Sequence, residues 1–283
     1  EPDKIFQPQA LTPLDRDQSK EKKENEIGTP LPEACARISA AIANLAMTAD
    51  KQLRKQRAGN KGGVVPVRDG LLFEVDGSCT LNEQEWTCKG KEAGFAWNAR
   101  VNCISGGKIS VKTSDNGFRF LRFENMHHEG LVWDKKIQPP CTVFLVDRYF
   151  KPTGENAHRY SLGRTLQSRD ANWCLGRRQG MLYHYVYDTL IGKAQSVMGT
   201  FTMQASTLGS SKQSTWWIDG RKHGMNTLMN PPIIGRLGIG HGTKFHSERS
   251  TADIASVIVF KRVLKDEEIF KVFEYLSRRY CIP

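Results

Sequence analysis

The residues of this chain that could do chemistry are scattered. Glu74-Val75-Asp76 sets two carboxylates two positions apart, so on a strand both side chains leave the same face. Two carboxyl groups on one face are what glycoside hydrolysis uses, one as acid and one as nucleophile or base. The plainer reading makes Glu74 and Asp76 strand-end residues facing solvent. Glu83-Gln84-Glu85-Trp86 holds a second carboxylate pair, but in a polar, turn-rich stretch. Seven His and seven Cys are present, with no G-x-S-x-G elbow, no H-E-x-x-H and no C-x-x-C. His127-His128 are adjacent, so a strand would point them to opposite faces, and they read as surface loop. The run Gly240-His241-Gly242-Thr243-Lys244-Phe245-His246 lacks the spacing of a phosphate-cradling loop and reads as a connection between strands. Sugar recognition needs loop carboxylates or amides beside an aromatic ring. Asp170, Asn172 and Trp173 in one loop, and Asp219, Arg221 and His223 in another, are the residues of that kind. A calcium ion is compatible with such loops, yet no complete ligand set can be picked out, so no cofactor, no metal site and no catalytic residue is assigned.

The elements that must position these loops are short strands. Leu71–Gly77, Lys108–Val111, Phe118–Phe123, Cys141–Val146, Tyr183–Tyr187, Thr200–Met203, Ser214–Ile218, Leu237–Gly240 and Ile254–Phe260 are apolar, β-branched or aromatic. Asp76-Gly77, Gly106-Gly107, Asn116-Gly117, Pro152-Thr153-Gly154 and Asp219-Gly220 supply turns between them. The last strand is followed by a helix predicted over 265–280. Asp266, Glu267 and Glu268 suit its positive end, and Arg278 and Arg279 its negative end. Ile269, Val272, Phe273, Leu276 and Tyr280 form a single apolar stripe. Many strands and one closing helix predict a mainly β, two-sheet jelly-roll sandwich.

Residues 1–63 are of a different kind. Glu1 to Pro32 holds five Pro and alternating charge, and predicts an extended arm. A helix is predicted over about 31–58, with Ile38, Ile42 and Leu45 on its apolar face. Its end carries Lys51, Arg54, Lys55 and Arg57, and together with that face it makes a partner-binding arm. The chain of 283 residues has a net charge of +11, which suits a glycan or other polyanion as partner. Residues 1–62 hold 11 basic and 9 acidic side chains, which leaves +9 on the rest. The positive charge is therefore spread over the sandwich. No run of eighteen apolar residues is present to span a membrane. Glu1 in place of Met reads as a processed product, with an organelle interior favoured over export. Cys79, Cys88 and Cys103 are close enough in sequence for a local bridge, and Cys35 and Cys281 flank the domain.

Several motifs in this order resemble the concanavalin A-like superfamily of lectins and glucanases, in its laminin-G-like jelly-roll form. They are Gly70–Gly77, Gly117–Phe123 with Gly130-Leu131, Pro140–Val146, Trp216–Arg221, Leu237–Gly240 and the closing stretch Thr251–Tyr280. The resemblance covers 64–283 and implies fold more strongly than ligand. Glucanases of that superfamily carry three carboxylates on one strand at E-x-D-x-x-E or E-x-D-x-E spacing. Here Ser78 and Cys79 stand where the third belongs, so the chain is expected not to be an enzyme. Two functions are expected instead. The first is a structural or accessory subunit, held among the protein subunits of a larger complex by its arm. The alternative is a secreted or surface lectin-like module binding a glycan through the sandwich loops.

Overall fold

Apolar residues at strand spacing, broken by glycine turns, give most of the described chain an extended backbone. The computed structural model describes residues 63–79, 81, 85–87, 98–101, 109–124, 130–149, 165–178, 181–187, 189–228, 233–240 and 251–283. The arm residues Ile38, Ile42, Leu45, Lys51, Arg54, Lys55 and Arg57, and His127, His128, His241 and His246, lie outside them. In chain order the first strands are β1 (Leu71–Asp76), β2 (Glu85–Trp86), β3 (Ala99–Val101), β4 (Ser110–Thr113), β5 (Arg119–Phe123), β6 (Gly130–Trp133), β7 (Cys141–Tyr149) and β8 (Leu166–Ser168). Then come β9 (Trp173–Arg178), β10 (Met181–Val186), β11 (Thr189–Gln195), β12 (Thr202–Leu208), β13 (Gln213–Ile218), β14 (Arg221–Thr227), β15 (Leu237–Gly240) and β16 (Ala252–Phe260). Helix α1 (Asp266–Tyr280) closes the series.

The strands build two antiparallel sheets. One runs β14-β13-β12-β7-β16-β5-β4, with β1 sharing an edge of β16; the other runs β11-β10-β9-β8-β15-β6-β3-β2. The inner core takes Leu121, Leu145, Val257 and Val259 from the first sheet and Leu131, Trp133, Trp173 and Leu175 from the second. This is the predicted two-sheet sandwich.

Strand β16 organises the first sheet. Along one edge it pairs with β7; along the other, Ala252–Ile254 pair with β5 and residues from Ser256 onward pair with β1. The register against β7 slips between Ile254 and Ser256, leaving Ala255 as an extra residue. Such a bulge inverts the side-chain alternation beyond it. Ala252 and Ile254 face the inner core, as do Val257 and Val259 beyond the bulge, whereas Ala255, Ile258 and Phe260 face outward.

Helix α1 covers that outer face. Ile269, Val272, Phe273, Tyr275, Leu276 and Tyr280 are buried, packing with Phe144, Ala255, Ile258 and Phe260. Phe273 meets Phe144 edge-on at 5.5 Å. Glu268 accepts the Lys265 N–H at 2.9 Å and two N–H groups of Arg262, and this ion pair holds its carboxyl at about 2. The helix stops at Cys281, whose left-handed backbone returns its N–H to the Ser277 carbonyl.

The same helix corrects the reading of Glu74 and Asp76. They do not face solvent: they are 6% and 1% exposed. Tyr275 Oη donates to Glu74 Oε1 at 2.8 Å. Arg279 donates to Glu74 at 3.1 Å and also to Asp76. The carboxylates anchor the helix to β1 and have no room for substrate. Cys79 is buried, with its Sγ 3.8 Å from Asp76 Oδ1, and Cys88 and Cys103 lie outside the described residues.

Two polar contacts cross the inner core. Arg177 of β9 donates to Asp147 of β7 at 3.3 Å, and Asp147 also accepts from Thr165 at 2.9 Å and Gln204 at 3.2 Å. Nearby, His184 of β10 lies 3.1 Å from the Cys174 carbonyl through Nδ1. A carbonyl only accepts, so Nδ1 carries the proton and Nε2 is the acceptor, with the Ser206 hydroxyl at 2.7 Å as its nearer donor and the Ser214 hydroxyl at 3.0 Å. Burial brings this imidazole from its ordinary 6.5 down to about 4.

Two outcomes follow from these contacts. Replacing Arg279 with Met strands two buried carboxylates and should cost about 3–5 kcal/mol, read as a lower urea midpoint. Between pH 6.5 and about 4 the unfolded chain takes up a proton that folded His184 refuses, so stability should fall with falling pH across that window. The loss is about 3 kcal/mol at most, and His184→Gln should flatten that part of the stability–pH curve.

Candidate functional site

The site begins with a row of three charged residues on the outer face of the first sheet. Asp253 of β16 stands in register with Arg122 of β5 on one side and Arg148 of β7 on the other. It is fully buried, whereas the arginine side chains keep 14% and 23% of their surface. Arg122 grips both carboxylate oxygens, at 2.7 and 2.9 Å, and Arg148 adds a third contact of 2.7 Å through Nε. One carboxylate shared by two guanidiniums leaves the row one positive charge in excess.

Aromatic rings fix these guanidiniums from below. Arg148 lies 4.4 Å from the Phe201 centroid and 5.0 Å from that of Phe120; Arg122 lies 5.6 Å from Phe120. Phe118 completes the floor, 5.2 Å from Phe201 and 5.1 Å from Tyr280, both edge-on. Above it opens a concavity of about 440 Å³, rimmed by Lys112, Asp115, Asn116, Gly199 and Thr200, a volume typical of small-molecule sites. Arg148 Nη1 also donates to the Gly199 carbonyl at 3.3 Å. Its Nη2 has no hydrogen-bond partner among the described residues, so a guanidinium edge remains for a ligand. The arrangement can hold an anion, with an apolar ring surface beside it.

The residues predicted for a sugar site are elsewhere and apart. Asp170 is gripped by Arg236 at 2.6 Å and accepts the Arg236 backbone N–H at 2.9 Å, which lowers its pKa. Asn172 donates to the Tyr187 carbonyl at 2.8 Å. Trp173 is wholly buried in the inner core, so it cannot serve as an exposed platform. Asp219 holds the turn between β13 and β14 by accepting the Met203 N–H at 2.8 Å; burial raises its pKa. Arg221 and His223 are exposed on strand β14, where His223 packs against Trp216 at 6.0 Å. The two loops are at opposite ends of the sandwich. Met203 pairs with Val146 beside Asp147, and Arg177, near the end of β9 and beside Asp147, is separated from Trp173 at the start of that strand by roughly 3.3 Å per residue. Among the described residues no three His, Cys, Asp or Glu come together as a metal site.

Sequence reasoning missed Arg122, Arg148 and Asp253. In sequence, Arg122 and Asp253 are only parts of strand motifs. The local signal available was a charged residue inside an otherwise apolar strand.

Neither a protein-family model nor a curated protein matches the chain. Solved structures do. Trypanosoma rangeli sialidase in complex with sialic acid is 14% identical, with a TM-score of 0.52 over 83% of this chain and 39% of that one. Its covalent intermediate with 2,3-difluorosialic acid gives 13% and 0.52. The binding domain of botulinum neurotoxin serotype D gives 10% and 0.50, over 73% of this chain and 52% of that one. The likeness is of fold. All share a β-sandwich, and the chain spans about two fifths of the sialidases' length. The expectation that the chain is not an enzyme is corrected here, because enzymes stand among its structural neighbours and a missing carboxylate triad does not exclude every glycan chemistry.

One outcome tests the charged row. Asp253→Asn leaves two part-buried guanidiniums without their counter-charge and should lower stability by about 1.5–3 kcal/mol, seen as a shifted denaturant midpoint without a change in slope.

Proposed function

We propose that this chain is a carbohydrate-binding β-sandwich of the concanavalin A-like kind, and that its ligand is an acidic glycan held at Arg122 and Arg148. The observation that carries this reading is the buried Asp253, which fixes two arginines over a ring-lined concavity. Guanidinium edges match carboxylate geometry better than an ammonium does. An adjoining aromatic floor suits the C–H face of a sugar. The likeness to a sialidase in complex with sialic acid, a carboxylated sugar, supports the same ligand class. The net charge of +11 favours an anionic glycan over a neutral one at long range.

The accessory-subunit reading rests on residues 1–63, and nothing among the described residues favours it. The loops that are compatible with a calcium ion likewise bring no acidic cluster together among the described residues.

Isothermal titration with sialyllactose against lactose tests the proposal. The sialylated sugar should bind and lactose should not bind at this concavity. Arg148→Ala should weaken binding by about 1.5–3 kcal/mol, roughly ten- to a hundredfold, and added salt should weaken it further. An Arg148→Ala variant that binds sialyllactose unchanged, or lactose binding that Arg148→Ala weakens as much as sialyllactose binding, overturns it.

A further inference from the structure

A second concavity, of about 450 Å³, opens at the other end of helix α1. The Arg122–Arg148 site borders the helix end, at Tyr280 to Pro283, and this one borders its start, at Asp266 and Ile269. A 15-residue helix rising about 1.5 Å per residue sets them roughly 20 Å apart. Nothing in the first site reaches the second.

The chemistry of its walls is different. One wall is the β12–β13 hairpin, which brings the hydroxyls of Ser210, Ser211 and Thr215 and the amide of Gln213. Opposite stands the exposed pair Lys222 and Asp266, 3.4 Å apart, so the charges cancel and the concavity has no pull on an anion. The apolar part of the lining is Pro140, Trp217, Met225, Val263, Leu264 and Ile269. Lys222 sits 4.8 Å from the Trp217 ring, and Phe270 meets that ring edge-on at 5.6 Å.

Trp217 adds a separate observation. Its ring is 3% exposed and its Nε1–H has no hydrogen-bond partner among the described residues. An unpaired buried donor costs on the order of 1–3 kcal/mol unless something accepts from it. Trp217 lines this concavity while almost wholly buried, so its indole N–H signal reports on what settles above it. Hydroxyls, an amide, a cancelled ion pair and an apolar floor together describe the surface of a neutral pyranose. Such a ring is polar at its edge and apolar on its C–H face.

The geometry points to a second carbohydrate subsite here, selective for neutral hexose units. It depends on the sandwich and not on the acidic-glycan reading. A glycan bearing both a carboxylated and a neutral unit about 20 Å apart gains effective concentration from the two sites.

Nuclear magnetic resonance with the full chain tests it. The Trp217 indole N–H signal is assigned by its loss in Trp217→Phe, and lactose, maltose and cellobiose are added in turn at millimolar concentrations. At least one should shift that signal together with the amides of Ser211 and Thr215. Thr215→Val should weaken the response about tenfold. Arg148→Ala should leave all of it unchanged, which separates this subsite from the acidic one. The inference is overturned if none of the three sugars moves the Trp217 indole. It is equally overturned if the shifts survive Thr215→Val undiminished, or vanish with Arg148→Ala.

Discussion

Strand β16 has a hydrogen-bonded neighbour on each edge, and all nine of its residues are buried. One edge is divided between two strands, β5 and β1, and the division falls at the Ala255 bulge. Without the extra residue, the outward-facing positions before it would dictate those after it. Val257 and Val259 would then face the helix, and Ile258 would face the inner core. The bulge lets Ala252 and Ile254 share the inner core with Val257 and Val259. It also frees the Ala255 carbonyl to accept from Gly77 at 3.3 Å and from Tyr280 Oη at 3.2 Å. Gly77 is required there, since a Cβ would stand 2.1 Å from the Arg119 backbone. The joint between β1, β5, β16 and α1 is therefore one packing problem with one solution.

The candidate site inherits its rigidity from that joint. Asp253 lies two residues before the bulge and faces out, where a carboxylate would be costly if it were not met from both sides. Arg122 and Arg148 meet it because β5 and β7 flank β16 at that register. The price of burying Asp253 is what orients two guanidinium edges. The ring floor of Phe118, Phe120 and Phe201 then restricts how those side chains turn.

Polar groups inside the sandwich serve another end. Asp147 with Arg177, and His184 with Ser206 and Ser214, tie one sheet to the other at chosen positions. Apolar packing alone tolerates sliding of one sheet over the other. A buried donor that finds its acceptor in only one register does not. Helix α1 then divides the outer face, with a charged, ring-floored concavity at its end and a neutral, hydroxyl-lined one at its start.

The sequence by itself determined the elements whose signals are local. The apolar stripe of α1 with charges matched to its ends, the strand Ile254–Phe260, and the strands bounded by Asp76-Gly77 and Asp219-Gly220 were legible. Their periodicity spans a few neighbouring residues. Strands such as β8, β9, β11 and β14 were not legible, because residues such as Gln167, Arg177, Lys193 and Lys222 break the apolar pattern. Only the tertiary structure decided which polar residues meet. Arg122 and Arg148 are 131 and 105 positions from Asp253, and Glu74 is 205 from Arg279. Whether a carboxylate on a strand faces water or a guanidinium depends on sheet order, register and one bulge. Trp173 illustrates the same limit: its sequence setting allows a sugar platform or a cap on the core, and packing between the sheets makes it core.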